Sequence, residues 1–442
     1  MCYPIGVSYA ESLKRHYGLE IAQAILEAQE KEPTHCLIAN KRQVDEGRLL
    51  LEFPHLRPHP FIEGSYYYDK DEYDLGKSLI HDVGGFYIQD AAAMMPVAFL
   101  DPKPGEKLLD MAAAPGGKTI DAALRMEGKG AILSNDISYP RALELSRNIE
   151  RLGIINATVI SCDLSKCYPF LEGTFDKVIL DAPCSGSAMF RKQKEVEEDW
   201  TAEKVASLTK IQRNLLDAAY FYLKEGGTIA YSTCSFSYEE DEGVILDFLA
   251  AHPSAEAVRL PKSPLFYRHQ DLPEAVHLLP HLFEGEGQFI CLIRKNESAG
   301  QGKAKPIKND EAALRAMKSL GIVPEIGQTA VKVKESIYLA PREFMIADIW
   351  KLNPIRLGLK TCEISSKGDL FPDHHLARAG LGLSKVSLNE TQAKAYLSGA
   401  TFRLDCPNGF MIAAYESMNL GLIKVVGGVA KNHYPKGLRH SY

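Results

Sequence analysis

Apolar positions along the middle of the chain alternate between two periods. Residues 107–111, 131–135, 157–161, 177–180 and 227–231 are short runs with apolar centres, the pattern of buried strands. Between them the spacing lengthens to that of helices. Residues 117–126 and 139–152 read as helices, the second with Leu143, Ile149 and Leu152 on one buried face, and Val205, Leu208, Leu215, Leu216, Ala219 and Leu223 trace the stripe of a long one. Strands separated by helices predict an α/β fold, a mostly parallel, doubly wound sheet.

Upstream, Leu13, Tyr17, Ile21 and Ile25 place a helix within residues 8–30, and residues 36–39 read as a strand that runs into a basic turn at Asn40, Lys41 and Arg42. Tyr66 to Tyr68 and the acidic stretch 69–74 predict a solvated loop with packing tyrosines, base stacking being the other reading. Downstream, residues 296–308 are polar and aperiodic, as linkers are. Beyond them lie a small basic segment to about residue 368 and a glycine-rich unit with β-like runs at 409–413 and 422–426, where a small β-barrel is expected.

With 442 residues, 45% of them hydrophobic, the chain is long enough for two to four domains. No apolar run approaches the ~18 residues of a membrane span, and Glu11, Lys14 and Arg15 interrupt what a signal peptide would need. A cytoplasmic protein without a membrane partner is expected. The nine cysteines are scattered and contain no C-x-x-C, which excludes a zinc knuckle and argues against a disulfide framework, so reduced thiols and no metal are expected. His374 and His375, being adjacent, point apart and read as surface or RNA-facing side chains rather than as metal ligands. The net charge of −6 argues against a simple polyanion binder, but from Asn296 onward 20 Lys and Arg face 13 Asp and Glu. A basic partner surface is therefore expected in the C-terminal part.

The candidate chemistry sits at strand ends. Val178, Ile179 and Leu180 run into Asp181, Ala182, Pro183 and Cys184, which puts a carboxylate and a thiol at the carboxyl end of a strand, where open α/β sheets bind ligands. A second thiol, Cys234 in the run from Tyr231 to Ser235, ends the next strand, so the sheet should bring both into one crevice. Ala112, Ala113, Ala114, Pro115, Gly116, Gly117 and Lys118 form a small-residue turn between a strand and a helix, whose free amides suit a carboxylate or phosphate. A P-loop would need glycine at Ala112, and the dinucleotide fingerprint is absent, so a nucleoside bearing an amino acid fits better. Asp136 is placed to reach a ribose hydroxyl and Asp163 an adenine amine, although each alone would more often be a cap or turn residue. Arg191 to Lys194, beside the crevice, reads as a solvated segment or as an RNA contact.

These residues resemble the RNA cytosine-5 methyltransferases of the NOL/NOP/SUN family. The resemblance runs from about Gly84 to Lys295 through the 112–119 turn, Asp136, Asp163, the 181–186 loop and residues 232–235. The flanks resemble the RsmF-type branch, which acts on 16S ribosomal RNA, down to an ending like residues 431–439. The resemblance implies a class I S-adenosylmethionine-dependent methyltransferase sheet at 84–296, an RNA-binding extension at 1–83, a linker at 297–307, a first C-terminal domain at 308–368 and a PUA-like RNA-binding barrel at 369–442. Carbon 5 of cytosine is a poor nucleophile, so a thiolate must first add to carbon 6. By the family pattern Cys234 is that nucleophile and Cys184 assists release. Asp181 bonds the activated pyrimidine and Lys118 orders the site. Ala112 to Lys118, Asp136, Asp163 and Asp181 hold the cofactor. RNA, as 16S ribosomal RNA or the small ribosomal subunit, is the implied partner of a monomeric enzyme. One departure is visible: where family members often have Glu-Asn-Glu this chain has Glu240, Asp241 and Glu242, which still suits a helix start by complementing its dipole.

Other readings are transfer RNA as substrate, or a non-catalytic RNA-binding assembly factor on the same scaffold. A DNA-type enzyme would promote Cys184 to nucleophile, against which Thr233 and Cys234 argue. A zinc deaminase fails, because Ser187 stands where its second cysteine should. Deleting residues 297–442 is expected to weaken RNA binding and spare cofactor binding.

Overall fold

The computed structural model describes residues 7–298, 300, 302 and 304–439. The start of the N-terminal extension with Cys2, positions 299, 301 and 303 of the expected linker, and the last three residues lie outside that range.

Helix α1 (Tyr9–Gln29) starts at a capping box between Ser8 and Glu11 and buries Leu13, Tyr17 and Ile25. Gly18, at φ 79°, interrupts it, so the two halves fall out of phase and Ile21 stays half-buried. Then β1 (Cys36–Ala39), α2 (Glu46–Glu52), β2 (Arg57–Pro58), β3 (Ser65–Tyr67), α3 (Leu79–Asp82) and β4 (Phe86–Ile88) build a sheet of order β2-β3-β1-β4. The tyrosine run is thus mostly strand, not loop. Tyr66 and Tyr67 are buried, and only the acidic stretch after them forms the loop.

The central unit follows as α4 (Ala91–Leu100), β5 (Lys107–Asp110), α5 (Gly117–Arg125), β6 (Ala131–Asn135), α6 (Tyr139–Arg151), β7 (Ala157–Ile160) and β8 (Phe175–Asp181). It continues with α7 (Lys194–Glu198), α8 (Ala202–Tyr222), β9 (Leu223–Thr233), α9 (Glu242–Ala251), β10 (Ala255–Val258), β11 (Val276–Leu278) and β12 (Gln288–Lys295). The sheet runs β10-β12-β9-β8-β5-β6-β7-β15, with β15 (Pro354–Leu357) added from downstream and β11 paired to β12. Strands β9, β8, β5, β6 and β7 are parallel. Chain order reverses between β5 and β8, so the crevice opens where those two strands end.

Successive strand residues feed two cores. Leu108, Ile132 and Ile179 pack with Ile120 and Leu145 on one face. Leu109, Leu133, Val178 and Leu180 pack with Leu216, Ala219 and Phe248 on the other. This alternation under two helical layers is what doubly wound sheets require. In α6 the buried face is Ala142, Leu145 and Ile149 with Leu152 just beyond, and Leu143 lies at its border.

Beyond the central strands come α10 (Glu311–Ser319), β13 (Gln328–Val333), β14 (Ser336–Pro341), β16 (Leu359–Ile364) and β17 (Leu370–Pro372), a sheet of order β13-β14-β16-β17. This unit is built into the central one. Ile307 N–H donates to Met345 O at 2.7 Å, Gly302 N–H to Glu172 O at 2.9 Å, and Phe344, Met345, Ile349, Leu352 and Leu357 share the core of Leu109 and Leu180. A chain cut at 296 therefore loses an edge strand and core residues as well as basic surface. The deletion expected to spare cofactor binding therefore also removes packing against β7 and the core of Leu109 and Leu180.

The last unit holds α11 (His374–Ala379), β18 (Lys385–Ser387), α12 (Glu390–Leu397), β19 (Phe402–Arg403), β20 (Gly409–Tyr415), β21 (Met418–Val426) and β22 (Val429–Asn432), a curled half-barrel sheet of order β18-β20-β21-β22-β19. Its Tyr396, Met418 and Ile423 share one core with Leu37 and Phe86 of the N-terminal sheet. His375 is buried where this unit meets the central one, its Nε2 facing Ile154 O at 3.0 Å and its Nδ1 facing Arg356 at 2.6 Å. His374 is half-buried against Tyr434. Neither is the free surface side chain that adjacency alone suggested. No helix among the described residues is long and apolar enough to cross a membrane.

Candidate active site

The turn from Ala112 to Gly117 is fastened by β6 and α6. Ala113 N–H donates to Asn135 O at 2.7 Å, Arg141 to Ala114 O at 2.7 Å, and Asn148 to Pro115 O at 2.9 Å. Gly116, at φ 122°, is the N-cap of α5 and offers no side-chain acceptor, so the first amides of that helix stay available. A side chain on Gly117 would meet the Gln89 amide at 2.7 Å. The turn is thus a rigid rim with donors and without bulk.

Carboxylates stand at four neighbouring strand ends. Asp110 closes β5, Asp136 follows β6, Asp163 follows β7 by three residues, and Asp181 closes β8. Asp136 is buried, with one oxygen on Ser138 N–H at 2.9 Å. Asp163 accepts from the N–H and hydroxyl of Ser165 at 3.1 and 2.6 Å, a capping use beside its place on the rim. Asp110 was missed in the sequence because it lies inside the strand pattern. Burial pushes its carboxyl up to about 7, against the pull of Thr119 and Lys118, and its Oδ1 has no partner.

At the switch point, Lys118 Nζ donates to Asp181 Oδ2 at 2.7 Å. Asp181 Oδ1 accepts from Ser232 Oγ at 2.6 Å and Gln288 Nε2 at 2.9 Å. Burial alone would lower the Lys118 ammonium, but Asp181, Asp110 and Cys234 more than offset it and hold it above its ordinary value. The two thiols end neighbouring strands, and Cys184 Sγ lies 3.3 Å from Cys234 Sγ. Cys184 is held well above the usual thiol range, first by its hydrogen bond with Cys234 and then by burial. Cys234, Cys184, Asp181 and Lys118 are therefore together, while Asp136 and Asp163 lie along the same edge.

The loops carrying the thiols rest on buried side chains, of which the sequence marks Glu240 to Glu242 only as a helix start. Glu240 and Gln212 are fully buried beneath them, and Glu240 accepts from Ser185, Ser235 and Gln212. Asp241 accepts from Thr233 Oγ1 at 2.5 Å, and Glu242 pairs with His277 at 2.6 Å. The run from Glu240 to Glu242 does more than complement the dipole of α9: all three side chains turn inward to brace strand ends. Arg191 is spent as well, ion-paired to buried Glu286 and donating to Gly285 O at 2.7 Å, and Lys192 reaches Glu286 at 3.1 Å. Arg191 and Lys192 thus pin the 184–192 loop, while Gln193 and Lys194 beyond it are exposed, as a solvated segment would be. Helix α1 roofs the same loop through Gln29, which donates to Ser187 O at 2.7 Å.

A family model described as 16S rRNA methyltransferase RsmB/F matches residues 97–294, and one described as methyltransferase RsmF PUA domain matches residues 383–440. The ribosomal RNA small subunit methyltransferase F of Klebsiella pneumoniae is 32% identical over 406 residues, 87% of this chain and 84% of that protein. The protein of the same name from Vibrio cholerae is 32% identical over 409 residues, 87% and 85% of the two chains. Among solved structures, a methyltransferase homolog from Pyrococcus horikoshii aligns with a TM-score of 0.58 at 31% identity, over 66% of this chain and 96% of that one. NSun6 from Pyrococcus horikoshii, solved with SFG, shares the fold with a TM-score of 0.60 at 22% identity, over 65% and 98%.

Proposed function

Given that the chain belongs to the 16S rRNA methyltransferase RsmB/F family and is an S-adenosylmethionine-dependent methyltransferase, we propose that it methylates carbon 5 of cytosine in 16S ribosomal RNA through a covalent Cys234 adduct released with help from Cys184. The observation that carries this reading is the 3.3 Å approach of the two sulfurs beside the Lys118–Asp181 pair.

Bound S-adenosylmethionine supplies an electrophilic methyl on a sulfonium. The rim fits such a molecule: small residues and free amides for its amino acid at Ala112 to Lys118, and Asp136, Asp163 and Asp181 along the edge for its nucleoside. Cys234 adds to carbon 6 of the cytosine, which breaks the 5,6 double bond and makes carbon 5 the nucleophile that takes the methyl. Asp181, oriented by Lys118, Ser232 and Gln288, bonds the pyrimidine edge as its electrons shift. Water takes the carbon-5 proton, and the electron pair of that C–H bond restores the 5,6 double bond and expels Cys234 as a thiolate. The Cys184 thiol, still protonated, donates to the departing sulfur and so favours release.

The partner is RNA, alone or in the small ribosomal subunit, bound by a monomer without a structural metal. The units divide at residues 84, 297, 308 and 369, with the basic C-terminal ones carrying RNA contacts. Bisulfite sequencing of 16S ribosomal RNA incubated with the protein and S-adenosylmethionine tests the reading. One or more cytosines should become resistant with the native chain and none with Cys234→Ala; resistance produced by that variant would overturn it.

A further inference from the structure

Each cysteine is followed by a serine, and both serines converge on one carboxylate. Glu240 Oε1 accepts Ser185 N–H at 2.8 Å and Gln212 Nε2 at 3.0 Å. Its Oε2 accepts Ser185 Oγ at 2.5 Å and Ser235 Oγ at 2.6 Å. The two hydroxyls are themselves 3.1 Å apart. A carboxylate offers about four lone-pair positions, so Glu240 is saturated by donors from three elements: the loop after β8, the loop after β9, and α8. Gln212 also donates to Pro183 O at 2.9 Å, next to Cys184.

The backbone leaves this place open. The β8–β9 ladder ends with Ala182 N–H donating to Ser232 O at 2.8 Å, and the backbones pair again where Ala188 N–H donates to Cys234 O at 3.0 Å, next to Phe236 N–H on Ser187 Oγ at 2.8 Å. Cys184 lies in the gap. Both thiols have to act on one ring in turn, and a misplacement of about 1 Å costs on the order of 10²-fold in rate. Something must fix their separation where the ladder does not.

We propose that Glu240 is a positioning residue that clamps the Cys184 and Cys234 loops at the sulfur separation the reaction needs. This rests on the roles assigned to the two thiols above. The carboxylate is fully buried and reaches the substrate only through the loops it holds. Replacing it by an amide sets an N–H opposite either the Ser185 N–H or hydroxyls that have to turn round to accept, which loosens the hold on both loops.

Two measurements on the full chain test the clamp. With both thiols present, diamide should link Cys184 to Cys234, as read by peptide mass spectrometry, and Glu240→Gln should slow that linkage by about tenfold, the fall in effective concentration of a loosened pair. This readout needs no catalysis. In a Cys184→Ala background, Glu240→Gln should slow single-turnover adduct formation with RNA by about 10²-fold. Binding of S-adenosylmethionine and of RNA should be unchanged. Where Glu240→Gln fails to fold, Ser185→Ala combined with Ser235→Ala removes both hydroxyl arms and keeps the Ser185 N–H and Gln212 contacts; the same slowing is expected. Linkage at the native rate in a folded variant overturns the clamp, as does slowing matched by an equal loss of cofactor affinity, which would mark general damage. No adduct in Cys184→Ala alone, with slowed linkage in Glu240→Gln, would instead sink the assigned thiol roles and leave the clamp standing.

Discussion

At the scale of single residues, the site depends on charges held where water is scarce. Lys118→Met removes the cation beside Asp181 while Ser232 and Gln288 keep that carboxylate in place. Single-turnover methylation should fall by about 10²-fold, the usual loss for one electrostatic contact in a closed site, with the fold intact by circular dichroism. Asp110 gives a pH signature. Its carboxyl lies at about 7 in the fold against an ordinary 3.8, so its contribution is complete below the ordinary value and is lost as pH rises through 7. Asp110→Asn should therefore gain stability relative to the native chain between pH 5 and pH 8, by on the order of a few kcal/mol in urea unfolding. A difference that does not change with pH would contradict this. Residues at strand ends were legible because strand pattern and chemistry coincide there, which is how Cys184, Cys234 and Asp181 stand out, whereas Lys118, in the first turn of α5, was marked by the family resemblance. Glu240 was not, since its sequence neighbours mark only a helix start. The serine after each cysteine was the available hint, and it gains meaning only once the loops are seen to meet.

At the scale of elements, β5 to β8, α5 and α6 were readable to within about two residues, because two buried faces impose period two on strands and a stripe on helices, whereas β9 runs longer at both ends than expected and α4, α7, α9 and β10 to β12 were not read. The misses have a common cause. In α8 the buried stripe includes Thr209 and Gln212, polar residues that an apolar template leaves out, and Gln212 is buried precisely because it serves Glu240 and Pro183. In α6 the apolar template was one position off, since Ala142 and Leu145 rather than Leu143 face the sheet. Near residue 66 the tyrosines form a strand whose pairing partners come from elsewhere in the chain. The turn before α5 yields a prediction of its own. Gly116 at φ 122° accepts a side chain only at a cost on the order of 1–3 kcal/mol. Gly116→Ala should weaken S-adenosylmethionine binding at least about tenfold in calorimetry, at about 1.4 kcal/mol per factor of ten, and leave RNA affinity unchanged.

At the scale of the whole molecule, the four units are packed into one another rather than strung along linkers. Arg378 is the clearest joint: its buried guanidinium donates to the carbonyls of Asp82, Arg151, Asn419 and Leu420, which belong to three different units. Arg378→Ala leaves those carbonyls unsatisfied, at about 1–3 kcal/mol for a buried group. Calorimetric unfolding should start at lower temperature and split into separate transitions; a single unshifted transition would contradict the joint. None of this was legible in the sequence, because no local period says which distant surface an arginine or an edge strand will meet. For the same reason β15, which leaves its own sheet to extend the central one, looked like part of a separate domain.

The central claim is that Cys234 is the atom that bonds to cytosine and that Cys184 lets it go. Cys184→Ala, mixed with 16S ribosomal RNA and S-adenosylmethionine, should accumulate a protein–RNA adduct that survives denaturation and maps by mass spectrometry to Cys234. An adduct on any other residue, or full turnover by this variant with no adduct, would contradict the account.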